Sequence, residues 1–189
     1  MRRRALPWIG LACWAVGFAW HCARPSLWFL DLLLVPAMAL LYGGGAVAVV
    51  VAVLVGRRWS AWVLVVPVIV VLTVLVNPGW RVASGAYFQV HRPLFDLALG
   101  TAPGPSYYGA PLPLPLRFLT VTGKVSSLGE EGSDGRFFPQ WAGIPDDAGG
   151  YLYSPGGSPV GVDLYGSLCA DPVDLGDDWW MCGLADNGL

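Results

Sequence analysis

Three long apolar segments without a charged residue occupy the first 76 residues of this chain. They are Leu6–Ala23, with 18 residues, 32–55, with 24 residues, and roughly 59–76. A helix rises about 1.5 Å per residue, so about 20 apolar residues cross the hydrocarbon core of a bilayer. Backbone groups find no water in lipid, which requires helices rather than strands. The sequence therefore predicts three transmembrane helices over residues 1–76, with the lipid bilayer as their partner.

The positions of the arginines predict the orientation of these spans. Arginines fill positions 2–4 before the first segment and 57–58 between the second and third, whereas Arg24 stands alone between the first and second. Basic loops stay on the cytoplasmic side. The N-terminus is therefore predicted to be cytoplasmic and residues 77–189 extracellular. A cleaved signal peptide is the alternative for residues 1–23, although no small-residue cleavage site follows them.

The rest of the chain has a different composition. Residues 77–189 carry five basic and twelve acidic side chains, a net charge of −7. This charge excludes a nucleic-acid partner, whose phosphates need a basic surface. A membrane-proximal helix and a Pro-rich linker are predicted over 77–115, and a period of two predicts strands from residue 116 onward. The fold class predicted for 116–189 is a small exported α+β or mostly β domain. Its strand candidates include 151–153, 160–168 and 179–183.

Two motifs give this layout a family resemblance. They are the segment 149–155, Gly-Gly-Tyr-Leu-Tyr-Ser-Pro, and the run Asp177-Asp178-Trp179-Trp180. Together with an excess of arginine over lysine, they make the chain similar to small membrane proteins of actinobacteria, in which a few helices precede a Gly- and Trp-rich exported tail. The resemblance covers mainly residues 137–183. It implies no activity.

Four cysteines divide between the two parts of the chain. Cys13 falls inside the first apolar segment and is predicted to be a free, buried thiol, whereas Cys22 lies at the outer end of that segment. Cys169 and Cys182 lie in the predicted extracellular part, where disulfides persist. We predict that they form a disulfide across a hairpin whose two strands flank the acidic loop between them. Two free thiols are the alternative.

The familiar catalytic motifs are missing from the sequence. It contains no H-E-x-x-H, no G-x-S-x-G and no P-loop, and the predicted extracellular part has one histidine, His91. A lone histidine beside a membrane-proximal helix is more often a surface or interface residue than a catalytic one. The sequence therefore predicts a protein that is not an enzyme and has no cofactor.

A cluster of acidic residues near the C-terminus suggests a metal site as an alternative. Asp171, Asp174, Asp177 and Asp178 lie within eight residues. Hard cations such as Ca²⁺ bind several carboxylate oxygens, but this spacing is not that of an EF-hand loop. A solvated acidic loop that keeps the domain soluble explains the same residues.

Small residues recur every four positions in the second apolar segment, at Gly44, Ala48, Ala52 and Gly56. Such a stripe lets two helix backbones approach closely in lipid. It predicts helix packing, either in a homodimer or, as we favour, against another helix of the same chain.

Together these features favour a non-catalytic membrane protein whose extracellular domain binds a protein partner at the cell surface. Exposed aromatic residues are the candidates for the contact, because aromatic side chains are enriched in interface hot spots. The alternative is an exported domain that binds Ca²⁺ or hydrolyses a substrate with its Asp-rich tail. The aromatic candidates are Tyr107, Tyr108, Trp179 and Trp180.

Overall fold

The computed structural model describes residues 2–23, 31–56, 62–76, 80–128, 134–143 and 146–184. The chain divides into two compact units, Met1–Asn77 and Pro78–Leu189. We call the first the helical unit and the second the sheet domain. In the parts that the structure describes, the helical unit contains only helices, whereas the sheet domain combines helix with antiparallel strands.

The helical unit consists of α1 (Arg2–Ala23), α2 (Asp31–Gly56) and α3 (Trp62–Val76). Within α1 and α2, the windows Leu6–Ala23 and Pro36–Val55 are long and apolar enough to cross a membrane. Because α1 lies near the N-terminus, its length and composition also fit a signal sequence. α3 has 15 residues and is shorter than a typical span. The structure thus supports two helices of membrane length and one shorter apolar helix.

A pair of glycines brings α1 and α2 into close contact. A Cβ atom built on Gly10 would lie 2.6 Å from the carbonyl oxygen of Gly45, and one built on Gly45 would lie 2.8 Å from that of Gly10. Glycine therefore permits an approach that any larger residue would block. Val49 is fully buried and borders the same contact. Close backbone packing of this kind holds helices together where lipid supplies no hydrophobic drive.

The predicted stripe of small residues overlaps this contact only in part. Gly44 faces open space, Ala48 borders Gly10, Ala52 is half-buried, and Gly56 is the last residue of α2. The face of α2 that packs on α1 is centred on Gly45 and Val49, one residue after the stripe residues Gly44 and Ala48. The carbonyl of Gly10 occupies the space beside Gly45. A homodimer of this chain stays a prediction.

Polar side chains join the three helices. The indole Nε1 of Trp14 donates to Thr73 Oγ1 at 2.9 Å, and Thr73 Oγ1 donates to the carbonyl of Ile69 at 2.7 Å. His21 Nδ1 and Tyr42 Oη are hydrogen-bonded at 2.7 Å, and their rings stack. These pairs satisfy polar groups within the helical unit.

The sheet domain begins with α4 (Trp80–Ala98), which is kinked at Ala83, and a 3-10 helix covers Leu114–Leu119. Its strands are β1 (Ala110–Pro111), β2 (Lys124–Ser127), β3 (Arg136–Gly143), β4 (Asp147–Tyr153), β5 (Asp163–Leu164), β6 (Ser167–Leu168), β7 (Val173–Gly176) and β8 (Trp179–Cys182). Six of them form an antiparallel sheet in the order β1-β2-β3-β4-β8-β7, and β5 and β6 form a separate hairpin. The class predicted for this part is therefore confirmed at the level of an antiparallel β-sheet domain.

Strand alternation gives the sheet a hydrophobic core on each face. Along β8, Trp179 and Met181 belong to the core covered by α4, whereas Trp180 and Cys182 belong to the core on the opposite face. The first core is dominated by rings from α4 and the sheet, and the second is closed by the β5–β6 hairpin. The aromatic residues of the first core are Tyr87, Phe88, Phe95, Phe138, Tyr151 and Trp179.

Two features of the sheet domain differ from the prediction. The segment predicted as a membrane-proximal helix and linker is part of the folded domain, because Phe88 and Phe95 of α4 and Leu112 are buried in its first core. The strand predicted over 160–168 is wrong, since a turn at Tyr165 and Gly166 divides it into β5 and β6.

The predicted disulfide between Cys169 and Cys182 is present, with the two Cα atoms 5.7 Å apart. The hairpin that was predicted to carry it is wrong, because β8 pairs with β4 and β7. The acidic segment supplies β7 itself, and Asp177 and Asp178 form the β7–β8 turn with φ values of 52° and 65°. Aspartate tolerates this left-handed backbone better than most residues. The disulfide therefore joins β8 to the loop that follows β6.

Candidate functional site

The structure separates the four aromatic candidates by exposure. The side chain of Trp179 is 1% exposed and belongs to the core, and that of Trp180 is half-buried. Tyr107 and Tyr108 are 53% and 48% exposed. A surface contact through Trp179 is therefore wrong, because strand alternation turns this residue toward α4. The two tyrosines remain as the exposed aromatic pair.

Tyr107 and Tyr108 rest on a third tyrosine. Their ring centroids are 5.0 Å apart with an interplanar angle of 72°. The ring of Tyr165 lies 5.6 Å from that of Tyr107 and 5.1 Å from that of Tyr108. Tyr165 is buried, donates to Ser126 Oγ at 3.0 Å and packs edge-on against Phe137. The exposed pair thus has a fixed aromatic base that is anchored in the second core.

Two carboxylates hold the exposed tyrosines in place. Tyr107 Oη donates to Asp163 Oδ2, and Tyr108 Oη donates to Asp146 Oδ1 at 2.9 Å. Asp163 Oδ1 also accepts the backbone N–H of Gly166 at 2.7 Å. We call this group the tyrosine patch. Its members are Tyr107, Tyr108, Tyr165, Asp146 and Asp163.

The base of the tyrosine patch has a backbone conformation that is rare for an aromatic residue. Tyr165 has φ 58° and Gly166 has φ 102°, and the two form the tight turn between β5 and β6. A left-handed conformation costs a non-glycine residue about 1–2 kcal/mol. Burial of the Tyr165 ring offsets this cost and places it under the exposed pair. Strain of this kind often accompanies functional sites, which makes the patch the leading candidate.

Sequence reasoning identified Tyr107 and Tyr108 but missed the other three residues of the patch. The sequence contained a local signal for the turn that carries Asp163 and Tyr165. Asp163 stands three residues before Gly166, and an aspartate followed closely by a glycine is typical of a tight turn. The approach of Asp146 had no local signal. It depends on the packing of the β5–β6 turn, where a Cβ atom built on Gly166 would lie 2.9 Å from Asp146 Cβ.

The surroundings of the exposed phenols keep them protonated. Loss of hydration, the hydrogen bond to Asp163 and the negative charge of that residue raise the pKa of Tyr107 to about 12. The hydrogen bond to Asp146 and its charge raise the pKa of Tyr108. The folded state therefore favours the neutral phenol of Tyr107. This contribution to stability is fully present below pH 10, the ordinary pKa of tyrosine, and is lost as the pH rises toward 12.

Replacing Asp163 by asparagine is expected to lower the pKa of Tyr107 toward 10, because the amide oxygen still accepts the hydrogen bond but carries no charge. Absorbance at 295 nm during alkaline titration measures the pKa of the tyrosines. The same titration of Tyr107→Phe, made in the wild-type protein and in Asp163→Asn, is subtracted to isolate the Tyr107 phenol. Asp171→Asn is the control, since Asp171 is an exposed acid outside the patch. An unchanged pKa in Asp163→Asn would show that the carboxylate does not act on the phenol.

The structure places the four acids named as metal candidates in different surroundings. Asp174 Oδ1 accepts the backbone N–H of Gly176 at 2.8 Å, and Asp177 forms an ion pair with Arg92 of α4. Asp171 and Asp178 are exposed. Among the residues that the structure describes, no group of three or more His, Cys, Asp or Glu side chains is arranged to hold a metal ion. The acids thus cap a turn, pair with Arg92 or face solvent.

His91 lies inside the sheet domain instead of on its surface. Its Nδ1 donates to the carbonyl of Tyr87 at 2.8 Å, and its ring stacks on that of Tyr87 and meets Phe118 edge-on. The surface position predicted for it is wrong, because the residue falls on the face of α4 that covers the first core. Its contacts are those of a core histidine.

Comparison with known proteins adds no further guide to the site. No protein-family model, no curated protein and no solved structure matches this chain. The similarity to small actinobacterial membrane proteins stays a prediction.

Proposed function

We propose that this chain is a membrane protein with three spans whose sheet domain lies outside the cell and binds a protein partner through the tyrosine patch. The protein has no catalytic role in this proposal. The observation that carries it is the exposure of Tyr107 and Tyr108 in a domain that buries most of its other aromatic rings.

The arrangement of three spans rests on length and charge. The apolar run 59–76 has 18 residues and would reach about 27 Å as a helix, close to the hydrocarbon thickness of about 30 Å. Basic residues at 2–4 and 57–58 favour the cytoplasm for both loops. Three crossings then place residues 77–189 outside. The Cys169–Cys182 disulfide agrees with an oxidising compartment.

The tyrosine patch has the composition of an interface centre. Tyrosine offers a large rigid surface at a low entropic cost and is enriched in hot spots. Tyr107 and Tyr108 are already held by Asp163 and Asp146, so little side-chain freedom is lost when a partner binds. These properties support binding to a protein.

The topology can be tested by fusing a reporter to the C-terminus. A reporter that is active only after export is expected to be active after Leu189, and a cytoplasm-only reporter inactive. Intact mass separates the alternatives for α1, because a retained helix gives 20.2 kDa for the chain without its fusion, whereas cleavage of a signal peptide gives less. Activity of the cytoplasmic reporter would contradict the proposed orientation.

Binding through the patch can be tested with a photo-crosslinking amino acid placed at position 108 in growing cells. A discrete crosslinked product is expected there. Leu97 is the matched control, because it is exposed on α4, which covers the first core, whereas Tyr165 of the patch belongs to the second core. Crosslinking that is equal at both positions, or absent at 108, would contradict a partner on the patch.

A further inference from the structure

Three of the five members of the tyrosine patch come from a stretch of the chain without basic residues. Residues 137–184 contain no Lys or Arg, and two of their aspartates, Asp146 and Asp163, belong to the patch. The two carboxylates therefore place negative charge beside the exposed rings. Such charge attracts positive ligands and repels negative ones.

The carboxylates of the patch remain able to accept further hydrogen bonds. An ionised carboxylate has about four lone-pair sites. Asp146 gives one of them to Tyr108 Oη, and Asp163 gives one to Tyr107 Oη and one to the backbone N–H of Gly166. Both side chains are fixed by these bonds, so an incoming donor meets acceptors whose positions are already set.

The exposed rings add a second kind of attraction. The face of an aromatic ring carries partial negative charge and attracts a cation that lies over it. Tyr107 and Tyr108 meet at 72°, so their faces point in two directions and do not form a flat platform. Each exposed ring has a carboxylate at its hydroxyl end, so one planar cation can lie over the ring and face that carboxylate.

We propose that the tyrosine patch binds a guanidinium group, that of an arginine side chain on the protein partner. Guanidinium is planar, stacks on aromatic faces and pairs with a carboxylate through two parallel hydrogen bonds, whereas the ammonium of lysine is a compact, strongly hydrated charge. Both the rings and the carboxylates of the patch contribute to the binding. This inference rests on the proposed function and names the chemistry of the partner.

The test uses the full-length protein in nanodiscs of zwitterionic phosphatidylcholine, with octa-arginine as the probe and calorimetry at low salt as the measurement. Octa-lysine has the same charge and is expected to bind at least fivefold more weakly, because it cannot stack and pair in the same way. Equal affinities for the two peptides would overturn the assignment to guanidinium.

Two double variants separate the patch from the general acidity of the domain. Asp146→Asn with Asp163→Asn removes two charges while the amide oxygens still accept hydrogen bonds, and is expected to weaken octa-arginine binding at least tenfold. Asp171→Asn with Asp178→Asn removes two exposed charges outside the patch and is expected to change the affinity less than about threefold. Equal losses in both would mean non-specific attraction and overturn the proposal.

The rings are tested with the charges left intact. Tyr107→Leu with Tyr108→Leu is expected to weaken binding at least tenfold, whereas Tyr107→Phe with Tyr108→Phe keeps the ring faces and is expected to stay within about threefold. Unchanged binding by the leucine variant would overturn the role of the rings. The thermal unfolding midpoint of each variant shows whether the sheet domain has folded. If the leucine variant does not fold, the phenylalanine and asparagine variants still test the proposal.

The experiments distinguish a failure of the guanidinium proposal from a failure of the proposed function. If position 108 crosslinks to a partner in cells but octa-arginine does not distinguish the patch variants from their controls, the partner stands and the guanidinium proposal fails. If octa-arginine distinguishes them but no crosslink forms in cells, the chemistry of the patch stands and the proposed function fails.

Discussion

Replacing Trp179 by alanine is expected to lower the free energy of unfolding of the sheet domain by about 3–5 kcal/mol, the usual cost of removing a large buried aromatic side chain. The indole ring lies 5.2 Å from the ring of Phe88, 5.8 Å from that of Phe95 and 5.5 Å from that of Phe138, measured between centroids. Its Nε1 also donates to Asp96 at 3.0 Å. The substitution therefore leaves a cavity between α4 and the sheet and removes a bond that ties them together.

Chemical denaturation of the full-length protein, followed by near-ultraviolet circular dichroism, measures this loss. Trp180→Ala is the matched control, since Trp180 is the next residue of the same strand but is half-buried on the opposite face. We expect it to cost less than half as much. A similar loss in both variants would contradict the view that the core under α4 carries most of the stability.

Removing the disulfide by the double change Cys169→Ala and Cys182→Ala is expected to cost about 3 kcal/mol. The two cysteines are 13 residues apart, and closing a loop of this size restricts the unfolded chain by about that amount. Both side chains are buried in the second core, so alanine leaves a small cavity in addition.

Thermal unfolding with and without a reductant measures the contribution of the disulfide. The midpoint of the wild-type protein should fall when reductant is added, and that of the double variant should stay the same. Replacing Cys13 and Cys22, which lie outside the disulfide, should leave the response to reductant intact. A wild-type midpoint that reductant does not change would mean that the bond adds no stability.

Much of the fold was predictable because it follows from local patterns. Uncharged apolar runs predicted α1 and α2. The alternation of apolar and polar residues predicted strands, and the predicted extracellular location predicted the disulfide Cys169–Cys182. The turn at Tyr165 was missed, because an aromatic residue with positive φ goes against local preference. The burial of its ring against Ser126 and Phe137 offsets the cost of this conformation.

The candidate site was predictable only in part. Composition identifies an aromatic residue but does not show whether it faces solvent, so Tyr107 and Trp179 looked alike until strand alternation and the position of α4 separated them. The carboxylates of Asp146 and Asp163 come from distant parts of the chain, 38 and 56 residues from their tyrosine partners. Contacts of this range depend on tertiary packing, which no local pattern encodes.

The alternation along β8 also couples the disulfide to the register of the sheet. Cys182 faces Cys169 only when β8 pairs with β4 in the observed register, in which Gly150 lies opposite Cys182. A slip of one residue would turn Cys182 toward α4 and bring Trp179 to the opposite face. A shifted strand would therefore leave both thiols unpaired, so the presence of the disulfide indicates that β8 has the observed register.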